Sequence, residues 1–143
     1  MQDVGLHYWM LIGQSRFHRT IARRVCAGGL LPGQPKILEF LFAHDGCTQK
    51  EIGQGCVLDK STVTSLLGRM MDAGLVRKDA GEDDKRTVRI RLTEKGRQKA
   101  AEVCAVFADV DAQAWQGVSP AEQEQFVRIL RQIILNLEGM EDE

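Results

Sequence analysis

Two short segments, each opening on its own helix cap and parted by a few residues, constrain this chain more than any other feature. Thr48-Gln49-Lys50-Glu51 places a hydroxyl at an N-cap and a carboxylate three residues on. In such a box the two side chains satisfy each other's free backbone amides, so a helix starts there. It ends near Gly55. Asp59 then caps a second helix, which carries Val63, Leu66, Leu67 and Met70 inward and ends at Gly74. Two capped helices joined by so short a turn make a helix-turn-helix. The period changes after Gly74: Leu75-Val76-Arg77-Lys78 and Thr87-Val88-Arg89-Ile90-Arg91-Leu92 read as strands, the second alternating apolar and polar residues. Asp79 to Arg86 is a polar hairpin loop between them. A helix-turn-helix followed at once by a hairpin predicts a winged helix, a mainly α fold of the α+β kind.

The flanks read as helices. In Val4 to Cys26, Val4, Tyr8, Leu11, Ser15, His18, Ala22 and Val25 recur at three- and four-residue steps, and Met10, Phe17 and Ile21 form a second stripe. Gly28-Gly29 ends that helix. Pro32 and Pro35 mark the next boundary, after which Ile37, Leu38, Phe40 and Leu41 make a short buried helix. Thr93 caps a long helix with Val103, Cys104, Val106, Phe107 and Val110 on its apolar side. Ser119-Pro120-Ala121-Glu122 opens the last, which sets Phe126, Ile129, Leu130, Ile133, Ile134 and Leu137 on one face.

Charge sharpens the reading. The chain of 143 residues carries a formal net charge of -1, which by itself argues for no polyanionic partner. The balance is uneven, however: basic residues are in excess from 50 to 100, and acidic residues are in excess from 101 to 143. A basic middle and an acidic tail suit one segment that faces nucleic acid and another with a different task. The longest uncharged stretch, Val4 to Ser15, falls short of the roughly 20 residues that span a bilayer. Asp3 stands where a signal peptide is basic, so a cytoplasmic protein without a membrane partner is expected. Cys26, Cys47, Cys56 and Cys104 are scattered with no C-x-x-C pair, and His7, His18 and His44 are isolated. Neither a metal site nor a cofactor is expected. No nucleophile motif, phosphate-binding glycine loop or placed carboxylate pair points to an enzyme.

The middle segment has the dimensions for DNA. An α-helix fits the major groove, and its first exposed residues meet the base edges. Here these are Lys60, Ser61, Thr62, Thr64 and Ser65, small hydrogen-bonding groups after one lysine. In the loop, Asp84-Lys85-Arg86 puts an acid two residues before an arginine. An aspartate at that spacing can hold a guanidinium extended, and an arginine so held can enter the narrow minor groove.

Thr62-Val63-Thr64, Leu66, Arg69-Met70, Gly74-Leu75-Val76, Asp84-Lys85-Arg86 and Leu92-Thr93-x-x-Gly96 together resemble the MarR family of bacterial transcriptional regulators. The resemblance implies a homodimer, usually a repressor, on a pseudo-palindromic operator of double-stranded DNA. It also implies release by a small phenolic or lipophilic effector. DNA contacts would come from Thr48, Gln49, Lys60, Ser61, Thr62, Thr64, Ser65, Arg69, Asp84, Lys85 and Arg86, with Arg86 the minor-groove arginine steadied by Asp84. Ser65 stands where many relatives carry arginine, Gly68 where an acid is common, and Val57 at the turn position where glycine is frequent. One domain, 1–143, is expected, with its winged helix at about 32–95. The helices at about 3–28 and 93–139 are left to form the dimer, because paired half-sites call for a two-fold protein.

An effector in this family sits at the junction of the dimer helices with the winged helix. Trp9, Phe17 and His18 could line it or simply pack. Some relatives sense peroxide through a cysteine near the start of the first helix, where this chain has Leu6-His7-Tyr8-Trp9-Met10. Cys26 and Cys104 read as small core residues, and Cys56, in the turn before the second helix of the helix-turn-helix, is the thiol to test first. A winged helix that docks proteins without binding DNA is the alternative to a regulator.

Overall fold

The computed structural model describes residues 5–26, 28–81, 84 and 86–142. Two units make up the chain, Met1–Val110 and Asp111–Glu143. The first runs through α1 (Leu6–Cys26), α2 (Gln34–Ala43), α3 (Gln49–Cys56), α4 (Lys60–Asp72), β1 (Val76–Ala80), β2 (Val88–Leu92) and most of α5 (Glu94–Ala114). The second holds the end of α5 and then α6 (Pro120–Glu141). This is the winged helix expected from the order of caps and strands.

Its core gathers one face of each element. Ile37, Leu38 and Leu41 of α2, Ile52 of α3, Val63, Leu67 and Met70 of α4, and Ile90 of β2 are fully buried and form one cluster. Each such side chain contributes roughly 1.5–3 kcal/mol on leaving water. Leu66, expected inward, is half-buried at the cluster's edge.

β1 and β2 pair antiparallel, from Val76↔Leu92 to Ala80↔Val88. The wing loop is therefore shorter than expected, since Asp79 and Ala80 belong to β1 and only Thr87 drops out of β2. The reason is electrostatic as well as geometric: the Asp79 carboxylate bonds Arg77 of its own strand and Arg91 of β2, at 3.2 and 3.0 Å. On the other side of β2, the Ile90 amide donates to the Cys47 carbonyl at 2.7 Å and its carbonyl accepts from Gly46 at 3.0 Å. The segment before α3 thus adds a short third edge to the hairpin.

The start of α5 is locked onto the end of α4. The Thr93 hydroxyl donates to the Gly74 carbonyl at 2.5 Å and accepts the Gly96 amide at 3.0 Å. Lys95 Nζ donates to the Ala73 carbonyl at 2.8 Å. At the far end, Arg24 of α1 pairs with Asp109 of α5 at 2.6 Å.

In the second unit, Ser119 and Glu122 form the expected capping box, with Pro120 in the first turn of α6. Trp115 meets Phe126 edge-on at 5.8 Å. Phe126, Ile129, Ile134 and Leu137 are exposed, as are Leu6, Trp9, Leu11 and Phe17 of α1 in the first unit.

Candidate nucleic-acid interface

Both caps of the helix-turn-helix form as their spacing requires. Thr48 Oγ1 accepts the Glu51 amide at 3.2 Å, and Glu51 Oε1 accepts the Thr48 amide at 3.2 Å and its hydroxyl at 3.0 Å. Asp59 Oδ1 accepts the Thr62 amide and the Ser61 hydroxyl, each at 2.8 Å. Those donors, the Thr62 amide first, hold the Asp59 carboxyl below its ordinary range. The Thr48 amide does the same for Glu51.

The turn between the helices is strained. Val57 sits in the left-handed region at φ 56° and ψ 51°, where among the described residues every other positive φ belongs to a glycine. A β-branched residue pays roughly 1–2 kcal/mol there, and Val57, 87% exposed, gains almost no burial in return. Val57→Gly relieves the strain and gives back only part of it as extra freedom in the unfolded chain. The variant is expected to be more stable by about 0.5–1 kcal/mol. Urea unfolding would measure this, and a midpoint below that of the parent would contradict it.

α4 turns Val63, Leu67 and Met70 into the core, so Ser61, Thr64 and Ser65 face outward and are exposed, with Thr62 half-buried beside them. Lys60 and Arg69 stand exposed at its two ends. The Thr64 hydroxyl donates back along the helix to the Lys60 carbonyl at 2.9 Å. Gln49 and Lys60, from the starts of the two helices, line one open groove of about 780 Å³ together with Val57 and Leu58. Of the predicted residues, the fold therefore brings Gln49 of α3 and Lys60 of α4 to one groove. Thr48 differs in that its hydroxyl is engaged in the capping box.

The wing tip is ordered differently from expectation. Asp84 does not take the Arg86 guanidinium: its Oδ1 accepts the backbone amide of Arg86 at 2.9 Å, and its Oδ2 the Thr87 hydroxyl at 3.3 Å. A short acid two residues before a turn amide closes that local ring more readily than it follows a long flexible side chain. Asp84 shapes the loop, and the exposed Arg86 side chain extends from it. Lys85 lies outside the described residues.

Ion pairing decides which cations of the basic middle remain available. Arg77 and Arg91 share Asp79, Arg97 pairs with Asp45 at 2.9 Å, and Lys99 with Glu102 at 3.3 Å. Arg89 donates to the Gly46 carbonyl at 3.0 Å and Lys95 to that of Ala73. Among the described residues from 50 to 100, Lys50, Lys60, Arg69, Lys78 and Arg86 carry no such bond. Lys50 and Lys78 are candidates that sequence reasoning missed. Lys78 pairs with Ile90 across the hairpin and is exposed.

Other expectations change. Cys56 lacks the exposure and the lowered pKa that make a thiol reactive. It is buried, its Sγ lies 3.5 Å from the Lys36 carbonyl, and desolvation pushes its pKa up to about 11, so it stays protonated at neutral pH. Cys26, read as a core residue, is exposed because α1 buries only Val25 here, while Cys104 is half-buried. Trp9, Phe17 and His18 are all exposed on α1. Among the described residues no cluster of three His, Cys, Asp or Glu could hold a metal ion, and no helix is long and apolar enough to cross a membrane.

A sequence model of the MarR family matches residues 28–87. The transcriptional regulator HosA of Escherichia coli O157:H7 is 32% identical over 101 residues, which are 71% of this chain and 75% of that protein. A MarR-family transcriptional regulator from Silicibacter pomeroyi superposes with a TM-score of 0.80 at 25% identity, covering 94% of this chain and 96% of its own. The fold also matches that of Staphylococcus aureus MepR solved in complex with DNA, at a TM-score of 0.85 and 21% identity over 93% of this chain and 96% of that one.

Proposed function

The chain belongs to the MarR family of transcriptional regulators, and on that premise we propose that it is a repressor that binds a pseudo-palindromic operator as a homodimer. The observation that carries the reading is the exposed face of α4, with hydroxyl groups between two unpaired cations, together with an exposed and unpaired arginine on the wing. Lys50, Lys60, Arg69, Lys78 and Arg86 neutralise phosphates or enter the minor groove. The hydroxyls of α4 meet base edges.

A salt titration of binding to duplex DNA tests this. Each neutralised phosphate releases counterions, so the log-log slope is expected to be roughly -4 or steeper. A flat dependence would leave a winged helix that docks proteins.

The exposed apolar residues of α1 and of α6 are the surfaces that meet a second copy, within dimerisation helices at about 3–28 and 93–139. Replacing Ile133 and Ile134 by aspartate places two charges in that surface. The variant is expected to sediment as a monomer and to lose operator binding. A parent protein that is already monomeric at micromolar concentration would refute the dimer. Trp9, Phe17 and His18 of α1 are the residues with which a small phenolic or lipophilic effector would act.

A further inference from the structure

We propose that α4 reads A·T pairs, with Ser61 and Thr64 presenting acceptor oxygens to the base edges and the Thr64 methyl packing on a thymine methyl. This deepens the DNA-binding reading above and rests on it. The argument starts from where two hydrogen atoms already point. A backbone carbonyl can only accept, so the bond of 2.9 Å between Thr64 Oγ1 and the Lys60 carbonyl directs the Thr64 hydroxyl hydrogen into the helix. An ionised carboxylate also only accepts, so the bond of 2.8 Å between Ser61 Oγ and Asp59 Oδ1 directs the Ser61 hydrogen at the cap. What both hydroxyls hold out to solvent is lone pairs.

The major groove sorts bases by that property. Guanine offers two acceptors, N7 and O6, which an acceptor oxygen repels. Adenine and cytosine each offer an amino donor, which it matches. The methyl group of Thr64 separates the two cases, because the A·T pair carries a thymine methyl in that groove and the C·G pair carries none. The sequence removes the usual route to guanine as well: between Lys60 and Arg69 there is no arginine or lysine, so no guanidinium is available there to grip O6 and N7 from the middle of the helix. For Thr64 to donate to a base, it would first have to break a bond that the helix already satisfies.

The experiment is a selection of bound duplexes from a randomised pool, followed by methyl deletion on both sides of the contact. A·T pairs are expected under α4, preferred over G·C by about five-fold or more. In the selected duplex, deoxyuridine in place of the contacted thymine removes only its methyl. Wild-type affinity is expected to fall about four-fold, the worth of one buried methyl. Thr64→Ser, which keeps the hydroxyl and lacks the methyl, is expected to be indifferent to the exchange. Thr64→Val, which keeps the methyl and lacks the acceptor, is expected to remain sensitive to it while losing preference for adenine. Thermal melting confirms that both variants fold. G·C under α4, or no deoxyuridine effect in the wild type, with the steep salt dependence retained, overturns the base reading and leaves DNA binding standing. A pool without enrichment and a flat salt dependence overturns both.

Discussion

Gly96→Ala is expected to destabilise the winged helix by about 3 kcal/mol or more, a loss at the upper end of single substitutions. A Cβ at Gly96 would fall on the carbonyl oxygen of Leu75, with the carbonyl carbon 2.8 Å and the Cα 3.2 Å away. These are backbone atoms and cannot rotate aside. The Leu75 amide is bonded to the Met70 carbonyl at 2.9 Å, and its own carbonyl accepts the Thr93 amide at 3.0 Å. The first turn of α5 is held just as firmly, by Thr93 on Gly74 and Lys95 on Ala73. Relief therefore requires α5 to lift from the end of α4 and forfeit those bonds. Gly68→Ala is the matched control, because a Cβ there has no atom within 4 Å. It is expected to stabilise by about 1 kcal/mol through helix propensity alone. Urea unfolding at one protein concentration measures both, and a Gly96→Ala midpoint equal to that of the parent would show that the contact is soft.

Arg86→Ala is expected to cost roughly 1–3 kcal/mol of operator affinity per half-site with no change in thermal melting. The side chain is exposed and nothing in the fold depends on it, so any loss is a loss of contact with DNA. Arg86→Lys is expected to recover little, since an ammonium is more strongly hydrated and lacks the planar fork. The bonds made by Asp84 add a second tier to this prediction. Asp84→Asn keeps an acceptor for the Arg86 amide and is expected to bind nearly as the parent does. Asp84→Ala removes it, frees the loop and is expected to fall between the parent and Arg86→Ala. Affinities at one fixed salt concentration decide the matter. Parental affinity in Arg86→Ala would mean that the wing does not read DNA.

Much of the candidate interface was legible from residues a few positions apart. The Thr48 box and the Asp59 cap form where their spacing put them, as does the Ser119 box outside the interface. The alternation of β2 holds at Ile90 and Leu92 and leaves Val88 exposed. Gly96 was legible only as part of a pattern, Leu92-Thr93-x-x-Gly96, and the close approach to Leu75 supplies its cause. The brace between Asp84 and Arg86 was misjudged because spacing identifies the two residues and leaves open which donor wins. A backbone amide two residues on is nearer than a guanidinium at the end of a long side chain.

The sequence by itself determined where helices begin, where the period changes from helix to strand, and which stripe of each helix is apolar. Those features depend mainly on hydrogen bonds and side-chain spacing within one or two turns, and distant residues shift only their ends, as Arg91 does for β1 through Asp79. The tertiary structure alone decided which thiol is buried and held protonated, which cations stay unpaired and how far the wing extends. Cys56 meets the carbonyl of Lys36, Arg89 that of Gly46, and Asp45 meets both Arg97 and the Leu92 amide. These partners lie 20 to 52 residues apart in the chain. Desolvation and charge pairing act over a few ångströms of space whatever the separation in sequence, so they exist only once the chain has folded.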